Sequence, residues 1–161
     1  MFCDILAVNE TLTPADPGNV FEYDTDELKL LFKKFAGIDC FDIEINENNP
    51  DKLAEIIVSL EPTFGAINLE DIKAPDCFVI EKICKDKMSI PVFHDDQHGT
   101  AIVATAGLLN ALSITGRNIK DIKMVVNGAG AAAIACVELL KAMGMPSNNV
   151  MTVSYTHLRA H

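Results

Sequence analysis

Residues 124–133 read Met-Val-Val-Asn-Gly-Ala-Gly-Ala-Ala-Ala, an apolar run that breaks into Gly-x-Gly-x-x-Ala. The chemistry this pattern can do is to grip a pyrophosphate. Gly128 allows a tight turn after a strand, Gly130 lets the backbone approach the phosphates, and Ala133 permits close helix–strand packing. The amides that open the following helix attract the anion. On local sequence alone, a glycine-rich strand–helix turn with no ligand remains open as the other reading. An acid that would hold a ribose hydroxyl belongs about 20 residues further on. Val153-Ser154-Tyr155 stand there instead, so the sequence does not choose between NAD and NADP.

Two further segments end in acids: Asn68-Leu69-Glu70-Asp71 and Phe93-His94-Asp95-Asp96. In parallel α/β sheets, ligands bind beyond the carboxyl ends of the strands. Carboxylates gathered there repel one another unless a cation neutralises them, and hard oxygen donors suit Mg²⁺ or Mn²⁺. Solvated loops or helix N-termini account for such pairs equally simply. His94 and His98 lie four apart and invite a zinc reading, but a strand-to-helix break between them favours polar structural histidines.

The elements that must position these residues follow from periodicity. Leu28, Leu31, Phe32 and Phe35 share a helical face that Gly37 ends. Residues 40–45 alternate as a short strand would. Asn49 followed by Pro50 is a helix start, with Leu53, Ile56, Ile57 and Leu60 as its buried stripe. Residues 64–69 read as a strand, and Ala74-Pro75 opens a helix carrying Cys77, Ile80 and Cys84. A strand over residues 90–93 precedes a long, buried helix from about His98 to Ile114, closed by Gly116. Residues 123–127 form the next strand, residues 131–143 its helix, and residues 150–153 a last strand. Residues 1–25 are irregular. Alternating strands and helices mean an α/β, parallel architecture, with a boundary near residues 94–98.

Composition bounds the function. The 161 residues are 49% hydrophobic and 22% charged, which is globular. A formal net charge of −10 excludes nonspecific nucleic-acid binding, which needs a basic stripe. The uncharged stretch 99–116 is interrupted by polar residues and suits a core helix better than a membrane span. Cys3, Cys40, Cys77, Cys84 and Cys136 form no Cys-x-x-Cys pair, which favours buried thiols in a reducing cytosol. No basic leader stands at the start. A phosphotransfer domain built on the acidic pairs would need a partner lysine at a strand end, and no strand supplies one.

Taken together, residues 31–39 (Leu-Phe-Lys-Lys-Phe-Ala-Gly-Ile-Asp), 61–72 (Glu-Pro-Thr-Phe-Gly-Ala-Ile-Asn-Leu-Glu-Asp-Ile), 91–101 (Pro-Val-Phe-His-Asp-Asp-Gln-His-Gly-Thr-Ala) and 126–133 resemble bacterial-type malic enzymes. The resemblance runs from about Leu30 to Val153. It implies oxidative decarboxylation of malate to pyruvate and CO₂ with NAD or NADP and a divalent metal, Mg²⁺ or Mn²⁺, in a cytoplasmic homo-oligomer. It assigns Glu70, Asp71 and Asp96 to the metal, Asp95 to a neighbouring place in the site, and Gly128, Ala129, Gly130, Ala131 and Ala132 to the nucleotide turn. The family's catalytic lysine falls at Leu28, with Lys29 adjacent. Tyr23 lies too close to that position to match the family's catalytic tyrosine.

The implied fold is the end of a malic enzyme catalytic domain (29–95) followed by an incomplete Rossmann-type NAD(P)-binding domain (96–153). Residues 1–28 and 154–161 depart from the pattern, and the latter read like a translated sequencing-adaptor string. The chain thus reads as an inactive fragment of an oxidoreductase. The alternative is a non-catalytic α/β fragment that binds metal or nucleotide weakly.

Overall fold

The computed structural model describes residues 4–7 and 25–153, with side chains described from Leu31 onward. Cys3, Tyr23 and residues 154–161 lie outside the described residues. The chain divides into two compact units, residues 1–94 and 95–161.

The first unit carries a parallel three-stranded sheet, β1 (Asp4–Ala7), β2 (Ile67–Glu70) and β3 (Val92–His94), ordered β1-β2-β3. Register pairs Asp4 with Ile67, and Ile67 with Val92. Three helices accompany it: α1 (Thr25–Ala36), α2 (Pro50–Ser59) and α3 (Asp76–Lys87).

Helix α2 begins where the sequence places it. The Asn49 side chain accepts hydrogen bonds from the backbone N–H groups of Asp51 and Lys52, each 3.1 Å. Pro50 follows with a backbone angle already suited to the helix. Gly37 ends α1 in the left-handed region, φ 69, and its N–H donates to the Lys33 carbonyl at 3.1 Å. The core joins Leu53, Ala54 and Ile57 of α2 to Cys77, Ile80 and Cys84 of α3, with Ile67, Leu69 and Val92 of the sheet also buried. No helix among the described residues is long and apolar enough to cross a membrane.

The second unit opens with a π-helical turn, Asp95–Gly99, that runs into α4 (Thr100–Thr115). Gly116 closes α4 at φ 65. Strands β4 (Met124–Asn127) and β5 (Val150–Val153) pair in parallel, joined through α5 (Ala131–Ala142). The π turn and α4 both pack on α5. This strand–turn–helix–strand unit is the opening of a Rossmann-type nucleotide domain.

Several expectations need correction. Residues 4–7 are a strand rather than irregular chain, because their backbone pairs with β2. Residues 40–45 form no strand; only Asp42 makes an isolated bridge. The buried face of α2 runs through Ala54, whereas Ile56 is exposed and Leu60 only half-buried. On α1, Leu31 and Phe35 are both exposed, Phe35 to 77%. Helix α4 buries only Ala101, Thr105 and Leu112, and Ile114 is 85% exposed. The polar residues of α4, Thr100, Thr105, Asn110, Ser113 and Thr115, are spread around the helix rather than gathered on one side, so composition could not say which side is covered.

Candidate functional site

The glycine turn has the geometry a phosphate requires. Gly128 sits at φ 115, where a side chain would be strained. Its N–H donates to the Val153 carbonyl at 2.7 Å, tying the turn to the end of β5. Gly130 is the N-cap of α5 in ordinary extended geometry, and no side chain caps the helix. A Cβ on Gly130 would meet nothing within 4 Å. Among the described residues no clash therefore requires glycine here; its effect is to leave open space in front of helix amides that no side chain among those residues caps. That is the fit a pyrophosphate needs. A cavity of about 200 Å³ adjoins the turn, lined by Gly128, Ala129, Ala133, Val137 and Thr152 among others. Ala131 and Ala132 form the first turn of α5.

Of the three residues assigned to a cation, Glu70 ends β2 and Asp71 follows it, both in the first unit. Asp71 adopts φ 54, a left-handed conformation that aspartate tolerates better than most residues. Asp96 lies in the π turn of the second unit. Among the described residues, no three His, Cys, Asp or Glu side chains converge as a metal-ligand set. The donor chemistry of Glu70 and Asp71 is that of hard carboxylate oxygens, which fits Mg²⁺ or Mn²⁺. Leu28 and Lys29 fall within α1, ahead of the described side chains. His94 ends β3 and His98 lies in the π turn, so the strand-to-helix break expected between them is present.

Comparison with known proteins brings these elements under one family. The family model described as "Malic enzyme, NAD binding domain" matches residues 97–157. The NADP-dependent malic enzyme of Escherichia coli (strain K12) is 62% identical over 122 residues, covering 76% of this chain and 16% of the relative. The chain belongs to the malic enzyme family. The NAD-dependent malic enzyme of Rhizobium meliloti (strain 1021) is 57% identical over 121 residues, 75% of this chain and 16% of the relative. The crystal structure of the NAD-dependent malic enzyme from Thermotoga maritima matches at a TM-score of 0.80 and 42% identity, over 94% of this chain and 41% of that one. The chain thus spans about one sixth of the length of these curated malic enzymes.

Three features of this malic enzyme chain escaped sequence reasoning. Asn68 is buried, and its side-chain amide donates to Glu70 Oε1 at 2.7 Å. His94 is fully buried on the face of the sheet that carries Ile67, Leu69 and Val92, and neither ring nitrogen has a hydrogen-bond partner among the described residues. The π turn itself leaves no periodic trace in sequence, although such turns recur at functional sites. The signal available in sequence was Asn68 standing between the apolar residues Ile67 and Leu69.

Proposed function

We propose that this chain supplies part of the cation site and the nucleotide turn of an enzyme that oxidatively decarboxylates malate to pyruvate and CO₂ with NAD⁺ or NADP⁺. Glu70, Asp71 and Asp96 would hold Mg²⁺ or Mn²⁺, with Asp95 beside them. Residues 128–132 would hold the pyrophosphate. A bound divalent cation would supply Lewis acidity to the oxygens of malate and pyruvate. The chain's own contribution is positional. Gly128 turns the backbone, the α5 amides face the anion, and the β2 terminus presents two carboxylates. In domain terms, residues 29–95 would be the end of the catalytic domain and residues 96–153 the start of the nucleotide domain. Buried thiols at Cys77 and Cys84 support a reducing, cytoplasmic setting.

The observation that carries this reading is the unfilled space at Gly130 in front of an uncapped helix N-terminus, within a chain of this family. Leucine has no proton to exchange, and it stands at the position of the family's catalytic lysine, so this chain alone should not turn over malate. The test is a Mn²⁺ titration of the native chain against Asp96→Ala. Saturable binding that weakens in the variant is expected, and equal binding in both would remove Asp96 from the ligand set. Metal-dependent pyruvate formation by the chain from malate and NAD(P)⁺ would overturn the inactivity.

A further inference from the structure

We infer that Asn68 is a positioning residue for Glu70, holding its carboxylate in the orientation in which it meets a divalent cation; this rests on the proposed reading of Glu70 as a cation ligand. Asn68 and Glu70 are two apart on β2 and share one face of the strand, while Ile67 and Leu69 occupy the other. The Asn68 amide Nδ2 donates to Glu70 Oε1 at 2.7 Å. That bond fixes one carboxylate oxygen and sets the plane of the other.

The burial of Asn68 makes this a built arrangement. The residue is 5% exposed, against a half-buried Glu70 at the strand end. A side chain so enclosed has few rotamers, so it holds its partner rigidly. Its carbonyl oxygen Oδ1 is buried and makes no hydrogen bond among the described residues. An unsatisfied buried acceptor destabilises a fold, and an apolar residue of the same shape would avoid that cost. Asparagine at this position is therefore poor for the sheet, and the interaction it provides is the one to Glu70. Immediately after, Asp71 takes the left-handed conformation, which turns the chain out of the strand beside the held carboxylate. Groups that orient a ligand from behind typically change metal affinity by about 10- to 100-fold when removed.

The test compares Mn²⁺ affinity, read from the electron paramagnetic resonance of unbound Mn²⁺, with the denaturation midpoint of the same full-chain proteins. Asn68→Leu keeps the shape and removes both the donor and the stranded acceptor. Its midpoint is expected to be unchanged or higher, while its Mn²⁺ dissociation constant rises about tenfold or more. Glu70→Gln serves as the reference and is expected to weaken Mn²⁺ binding on its own account. If Glu70→Gln binds like the native chain, the ligand reading fails and the positioning role with it. If Glu70→Gln weakens binding and Asn68→Leu does not, the positioning role alone fails. A collapse of the Asn68→Leu midpoint would show that Asn68 stabilises the strand, contrary to the inference. In the native chain, the Asn68 side-chain amide resonances should shift as Mg²⁺ is added, and their indifference to Mg²⁺ would also overturn it.

Discussion

The carboxylate of Asp95 occupies the place where a side chain on Gly99 would begin. A Cβ on Gly99 would stand 2.1 Å from Asp95 Oδ1 and 2.9 Å from its Cγ. The two residues bound the π turn that leads into α4, so the missing side chain at one end sets the position of the acid at the other. Gly99→Ala should move Asp95 without unfolding the protein. The clash is with the end of a short side chain, and alanine is favoured over glycine in a helix by about 1 kcal/mol. The expected result is an intact thermal transition together with a displaced Asp95 carboxyl ¹³C resonance. An unmoved resonance would contradict this account of the turn.

Asn49 should be the most sensitive polar position on α2. Its Oδ1 accepts from the N–H groups of Asp51 and Lys52, two donors that the first helical turn otherwise leaves unfilled. Asn49→Ala is expected to cost about 1 kcal/mol, and Asn49→Gly only a few tenths. Urea denaturation of the three proteins measures this, and alanine matching the native midpoint would refute the cap.

Cys84 sets an alkaline limit on stability. Burial pushes its thiol up to about 11, with Lys87 lowering the value and Glu81 raising it by smaller amounts. Because the folded value lies above that of the unfolded chain, about 8.5, the contribution is complete below pH 8.5. It is lost as pH rises from there through about 11. Half-buried Cys136 should react with a thiol reagent at neutral pH well before Cys84 does. Cys84→Ala should flatten the alkaline decline, and an unchanged slope would sink the assignment.

How far the sequence could be read depended on how local each signal is. The Asn49-Pro50 start, the Gly37 and Gly116 stops and the glycine turn are set by neighbours within a few residues, and the structure has each of them. Strand β1 depends on pairing with residues some 60 positions away, and nothing in Asp4–Ala7 itself announces it. Residues 40–45 have the alternation of a strand but only the isolated bridge at Asp42, and alternation alone does not make a strand. The same limit applies to the candidate site. Glu70 could be named from its position after an apolar run, but the Asn68 bond to it is local and depends on side-chain conformations that residue types do not specify, while the enclosure of His94 is a product of tertiary packing. The left-handed Asp71 likewise carries no sequence mark that separates it from an ordinary loop acid.

The most direct test of the account is nucleotide binding at the glycine turn. Gly130→Val places a side chain in the open space before α5. Valine suits the extended backbone at that residue, and surface changes of this kind alter stability by about 0.5 kcal/mol or less. Calorimetric titration of the full chain with NAD⁺ and with NADP⁺ should give saturable binding of at least one of them. In Gly130→Val, with its melting temperature intact, that affinity should fall about tenfold or more, since the phosphates lose their approach to the helix amides. Equal affinity in the native and variant proteins, or no saturable binding of either nucleotide by the native chain, would contradict it.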